Sequence, residues 1–106
     1  MTDKLFNHLW LNALEQPNLD LYIGEYGYPD WFDEISRDAG EVVNTLTKIH
    51  RVAHMDIREI IGLVGTQPQF AEKFCIPVRT VEGWCSGGRT CADYLRLLFA
   101  RQLGLI

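Results

Sequence analysis

A chain of 106 residues has about the length of one domain and can bury one core, and its 47% apolar and 23% charged composition is that of a folding protein rather than a disordered one. The net charge of −4 argues against whole-surface attraction to nucleic acid. No apolar run reaches the roughly 18–20 residues that span a bilayer, and MTDKLFNHLW lacks a basic start, an apolar stretch and a cleavage site, so a cytoplasmic protein with no membrane contact is expected. In chain order, residues 2–14 place Leu5, Leu9, Trp10 and Leu14 near a 3.6-residue period and end before Pro17, which predicts an amphipathic helix. Residues 18–26 repeat the spacing with Leu19, Tyr22, Ile23 and Tyr26 and stop at Gly27 and Pro29; a helix is expected, with a strand as the alternative because tyrosine and isoleucine favour strands. Asp30 to Ile35 reads as a short helix in which Trp31 and Phe32 anchor the core.

Asp38 is placed to cap a helix whose Val42, Leu46, Ile49 and Ala53 share one face. Asp56 and Glu59 form a D-x-x-E capping signature before Ile57, Ile60, Ile61 and Val64, with Gly65 as the stop. Thr66-Gln67-Pro68-Gln69 has a threonine cap, a glutamine three residues later and proline in the first turn, where its missing N–H costs nothing. Phe70, Ala71 and Phe74 are the inward positions of the helix that follows. After the break at Cys75-Ile76-Pro77, a second short helix runs from Val78 to about Ser86, with Val81 and Trp84 inward and Gly87-Gly88 as its end. A last helix, from Asp93 to Leu103, holds Tyr94, Leu95, Leu97, Leu98, Phe99 and Leu103, more apolar residues than one face requires. The fold class expected is all-α, one compact domain of about six to eight helices. Residues 1–54 form an N-terminal helical extension to a part spanning 55–106.

The charge is uneven between these parts. Residues 1–50 carry three basic and nine acidic side chains, a balance of −6; residues 51–106 carry seven basic ones (Arg51, Arg58, Lys73, Arg79, Arg89, Arg96, Arg101) and five acidic, a balance of +2. Only the second part is a candidate for touching phosphate. There, two short helices with a tight turn, a small residue inside the first and an apolar residue in the turn make a helix-turn-helix pattern. At Thr66-Gln67, Ala71, Cys75, Ile76, Val81, Trp84 and Gly87 the sequence resembles the phage-repressor-like (XRE-type) helix-turn-helix family, over roughly residues 57–103. Cys75 stands where that family usually has glycine with positive φ, a strain of roughly 1 kcal/mol. Cys85, Gly88 and Cys91 stand where glutamate, a basic residue and proline are common in the family.

The resemblance implies sequence-specific binding of double-stranded DNA by a small transcriptional regulator of the phage, mobile-element or antitoxin type. Its second helix would enter the major groove with Val78, Arg79, Glu82 and Gly83 outward. Arg79 would bond guanine, Val78 meet a thymine methyl, and Glu82 accept from cytosine or orient Arg79. Gln67 would contact a phosphate together with its helix N-terminus, and Thr80, Ser86, Arg89 and Lys73 are further phosphate candidates. The bland reading of Arg79 is a solvated surface arginine, and that of Gln67 an ordinary first-turn residue. One such unit makes about 4–6 phosphate contacts, so a homodimer on half-sites about 34 Å apart is expected. The C-terminal helix, continued by Gly104-Leu105-Ile106, is its candidate surface, or else completes the core. A reading from another class is a protein-interaction module on the same scaffold, its acidic N-terminal half docking a protein partner.

Other chemistry finds less support. His50 and His54 have the i, i+4 spacing of a metal face, but Arg51, Val52 and Ala53 lie between them instead of the glutamate of a metalloprotease helix. Cys75, Cys85 and Cys91, spaced C-x9-C-x5-C, lack the CxxC pairs of zinc sites, and an odd count suits a reducing compartment. No metal or cofactor is expected. Asp30, Asp33, Glu34, Asp38 and Glu41 could supply paired carboxylates, yet a solvated acidic face explains them. With no nucleophile elbow, phosphate loop or dinucleotide fingerprint, an enzyme is not expected.

Overall fold

The computed structural model describes residues 1–26 and 38–106, so the expected helix at Asp30–Ile35, with Trp31 and Phe32, lies outside the described residues. Those residues form seven α-helices and no strand. They fall into two compact units, Met1–His54 with Leu105–Ile106, and Met55–Gly104.

In the first unit, Thr2 caps α1 (Asp3–Glu15) by accepting the Leu5 N–H at 3.1 Å. Leu5, Phe6, Leu9, Trp10 and Ala13 are buried, a broader stripe than the four residues expected, and Leu14 is only half-buried. The helix ends at Gln16, extended at φ −104°, just before Pro17. The next segment is the expected helix and not the strand alternative, α2 (Leu19–Tyr26). It starts where the Asn18 side chain accepts the Leu21 N–H at 3.0 Å. Tyr22 is fully buried and donates its hydroxyl to the Leu9 carbonyl at 2.8 Å; burial pushes its phenol above the ordinary range. Asp38 caps α3 (Ala39–Ala53) through the Gly40 and Glu41 N–H groups at 2.7 and 3.3 Å. Val42, Leu46, Ile49 and Ala53 are all buried, as their common face requires, and α3 packs on α1 and α2.

The other side of that packing is polar. His50 Nε2 donates to the Gln16 carbonyl at 2.7 Å, and His54 Nε2 to the carbonyls of Ala13 at 2.6 Å and Gln16 at 3.0 Å. The two ring centroids lie 4.4 Å apart, the planes tilted by 42°. A helix end leaves its last carbonyls without internal partners, and these histidines supply the missing donors for α1. Their i, i+4 spacing thus serves a helix terminus, with both Nε2 atoms committed to carbonyls rather than turned toward an ion.

In the second unit, α4 (Ile57–Val64) is capped by Asp56, which accepts the Arg58 N–H at 2.8 Å and pairs with the Arg58 guanidinium at 3.2 Å. The carboxylate therefore reaches the second helical N–H rather than the third, and Glu59 N–H bonds the Asp56 carbonyl instead. These bonds to Arg58 hold the Asp56 carboxyl below the usual carboxylate range. Its contribution is thus present above the unfolded carboxyl value and is lost as pH falls through the depressed one. Ile57, Ile60 and Ile61 are buried. The helix stops at Gly65, whose φ of 146° excludes an L side chain, and where a Cβ would collide with the Gln69 carboxamide. That open space lets Gln69 swing back to accept the Thr66 N–H at 2.8 Å, while Thr66 Oγ1 accepts the Gln69 N–H at 3.3 Å. The reciprocal box opens α5 (Gln67–Phe74).

Cys75 then adopts the left-handed conformation, φ 55° and ψ 44°, the sole non-glycine positive φ among the described residues. Its N–H bonds the Glu72 carbonyl at 3.4 Å, and the Ile76 N–H bonds the Ala71 carbonyl at 2.9 Å. This is the Schellman pattern of a helix C-terminus, with cysteine where glycine usually sits. Pro77 follows and cannot continue a helix from which its N–H is missing; it begins α6 (Val78–Ser86), accepting the Thr80 N–H at 2.9 Å. Gly87, at φ 82°, ends α6, and α7 (Asp93–Gln102) follows. Phe70, Ala71, Val81, Trp84, Phe99 and Ala100 are buried. Phe99 is the hub of the aromatic core, 5.0 Å from Phe70 edge-on, 4.8 Å from Phe74 and 5.9 Å from Trp84. Arg96, one of the seven basic residues in the charge balance of the second part, is buried, donating to the Met55 carbonyl at 2.7 Å and to Asp93 at 2.6 Å.

Two stability predictions follow from these termini. His50→Ala removes the buried imidazole donor from the half-buried Gln16 carbonyl and costs about 1–3 kcal/mol. His54→Ala, at an exposed ring that water can replace, costs less, and the double variant loses less than the sum because both rings serve Gln16. Urea midpoints measure all three, and midpoints equal to wild type would remove the capping role. Cys75→Gly relieves the left-handed strain and raises stability by up to about 1 kcal/mol, whereas Cys75→Val lowers it by about 1 kcal/mol or more. Thermal unfolding reads the sign, and Cys75 is exposed, so little packing confounds it.

Candidate nucleic-acid interface

Helix α6 has one face for the core and one for the outside. Val81 and Trp84 are buried; the positions a half-turn away, Arg79, Glu82, Gly83 and Ser86, lie at i, i+3, i+4 and i+7 on the opposite side. Arg79, Glu82 and Ser86 are exposed, and Val78, 39% exposed, flanks them at the start of the helix. Thr80 is half-buried, on the flank away from Val78. Arg58–Asp56 and Arg96–Asp93 are ion pairs; Arg79 and Arg89 belong to neither.

Gly83 is half-buried although it has no side chain, and Arg89 explains why. A Cβ at Gly83 would lie 3.0 Å from both Cγ and Cδ of Arg89. The aliphatic stem of Arg89 therefore crosses α6 at Gly83, one turn beyond Arg79. The segment is fixed there by the Arg89 N–H donating to the Gly83 carbonyl at 3.0 Å, with the Ser86 hydroxyl donating to the same carbonyl at 3.3 Å. Arg79, Glu82, Gly83 and Arg89 are thus brought together.

Gln67 is not among them. It is half-buried and lines an open concavity of about 500 Å³ with Arg58, Ile61, Gly62, Gly65, Thr66 and Cys85. Arg58 is a polar neighbour that sequence reasoning did not assign to this region, and its capping signature points only to Asp56. Lys73 is exposed near the end of α5, beside a second concavity of about 460 Å³ lined by Phe74, Cys75, Leu98, Phe99 and Gln102. On α7, Tyr94 and Leu98 are 65% and 56% exposed, one turn apart, while Phe99 is buried. The helix therefore divides between the two roles open to it, Phe99 completing the core and Tyr94 with Leu98 left outside. Leu105 and Ile106 are grouped with the first unit.

Of the acidic candidates, Asp30, Asp33 and Glu34 lie outside the described residues, and Asp38 caps α3. Burial pushes the Cys91 thiol up, away from reactive thiolate, and no group of three or more His, Cys, Asp or Glu side chains is placed to hold a metal among the described residues. No helix among those residues is long and apolar enough to cross a membrane. No protein-family model, curated protein or solved structure matches the chain.

Proposed function

We propose that the protein binds double-stranded DNA in a sequence-specific manner, α6 entering the major groove, and acts as a small transcriptional regulator. The observation that carries this reading is the outward face of α6, where Arg79 and Arg89 stand beside Glu82 on a helix held by a tight turn. The family resemblance at Thr66-Gln67, Ala71, Cys75, Ile76, Val81, Trp84 and Gly87 supports it. Arg79 reads guanine, Glu82 accepts from cytosine N4 or holds the Arg79 fork, and Val78 meets a thymine methyl. Arg89, Thr80 and Gln67 are backbone contacts that set register. A phage, mobile-element or antitoxin context follows from the resemblance alone.

One α6 covers too few base pairs for tight binding at physiological salt, so the reading includes a second copy of the chain. Tyr94 and Leu98 on α7 are its contact, because two large exposed side chains one turn apart suit a helix pairing across a two-fold axis. The same exposed pair also favours the other reading, a protein-interaction module, in which a different protein covers α7 or the acidic N-terminal half.

Selection from random-sequence duplexes at low salt recovers a defined motif, and the selected duplex loses affinity linearly in log salt. Arg79→Ala weakens binding by about 1–3 kcal/mol and relaxes the motif at one base position. A protein that associates with no duplex in a salt-dependent way would overturn DNA binding and leave the interaction module.

A further inference from the structure

Glycine inside a helix costs about 0.5–1 kcal/mol relative to alanine. Gly83 occupies the sixth of nine positions in α6 and has no positive φ to account for it. What it has is a neighbour: Cγ and Cδ of Arg89 lie 3.0 Å, and Cβ 3.4 Å, from where its own Cβ would stand. Approaches of 3.0 Å are tighter than side chains ordinarily make, so alanine there would push the Arg89 stem off its seat by a few tenths of an ångström. The return of the chain is fixed on the same residue. The Arg89 N–H bonds the Gly83 carbonyl at 3.0 Å, the Ser86 hydroxyl donates to it at 3.3 Å, and Ser86 Oγ accepts the Gly88 N–H at 3.4 Å. Gly87, at φ 82°, makes the reversal. Notch and anchor together carry a second arginine onto the face that displays Arg79, from outside the helix.

We propose that Gly83 is a positioning residue for duplex binding: its missing side chain seats Arg89 across α6, so that Arg89 meets the sugar–phosphate backbone while Arg79 reads base edges. The inference rests on the DNA-binding reading above and adds a role for a residue that cannot itself bond a base through a side chain. A long polar side chain at position 83 would gain one contact and displace an arginine that brings a full charge. Glycine keeps the charge, and its lower helix propensity is the cost.

The test is a cycle of Gly83→Ala, Arg89→Ala and the double variant in the full chain, measured by thermal unfolding and by affinity for the selected duplex across a salt series. Gly83→Ala weakens binding roughly tenfold while the unfolding temperature stays within a few degrees of wild type, because the helix-propensity gain of alanine offsets the cost of moving the Arg89 stem; a merely structural glycine would not lose affinity while keeping its fold. Arg89→Ala weakens binding to a similar degree on every sequence and reduces the salt slope by about 0.9. In the Arg89→Ala background, Gly83→Ala adds no further loss, because the side chain it displaces is gone. Wild-type affinity in Gly83→Ala, or an equal additional loss in the double variant, overturns the positioning role while duplex binding by the wild type stands. A wild type silent toward every duplex removes both readings and is distinguished by that silence.

Discussion

The second unit depends on one backbone hydrogen bond, from the Ile76 N–H to the Ala71 carbonyl, and on the left-handed Cys75 that lets it form. Helices of eight and nine residues, α5 and α6, are too short to be stable alone, because nucleation is costly and each further residue returns little. They persist because the reversal between them is fixed within three residues, which brings Phe70 and Ala71 of one and Val81 and Trp84 of the other into a single core. A looser turn would leave the crossing of the helices to side-chain packing alone. Then the direction in which Arg79 and Glu82 point would no longer be determined by the chain itself. Cysteine at this position trades about 1 kcal/mol of strain for a geometry that glycine would adopt freely.

Termini govern the rest of the molecule in the same way. Thr2, Asp38, Asp56 and Thr66 each accept a first-turn N–H, satisfying donors a helix cannot satisfy itself. C-terminal ends are harder to provide for, since side-chain donors must come from elsewhere. Gly65 and Gly87 solve this with backbone conformation, and α1 solves it with His50 and His54. The histidine solution ties α1 to α3 over 34 and 41 residues of sequence, so it joins distant segments as well as satisfying carbonyls.

This division explains what was legible in the sequence. Caps and apolar periods act within four residues, and the bounds of α6, the Thr66 box and the buried set on α3 follow from them, whereas the positive φ at Cys75 was implied by the family resemblance alone. Contacts that join distant residues leave no such pattern. Nothing near Arg96 signals that it reaches Met55, 41 residues earlier. His50 and His54 show a spacing that several chemistries share, and the carbonyls that use it belong to α1. Gly83 carries a local signal, a glycine well inside a helical pattern, but its meaning depends on where residue 89 lies. Asp56 is intermediate: capping was readable, while the choice of the Arg58 N–H over that of Glu59 depended on a side-chain ion pair.

Charge shows why a total is a poor guide to the interface. Residues 55–104 hold six basic side chains (Arg58, Lys73, Arg79, Arg89, Arg96, Arg101) and five acidic ones (Asp56, Glu59, Glu72, Glu82, Asp93). Arg58–Asp56 and Arg96–Asp93 are paired internally, and the excess over these residues is one positive charge. So small an excess, screened over about 10 Å at 0.1 M salt, cannot hold a polyanion by long-range attraction. In the proposed reading the long-range term is weak, and binding rests on short, directional contacts from Arg79 and Arg89. Glu82 on the same face then has a clear consequence: it repels any backbone phosphate brought close without a compensating cytosine amino group. That repulsion lowers non-specific affinity more than specific affinity, so a weakly basic face of this kind favours discrimination over strength and makes a second copy of the chain the natural source of the remaining affinity.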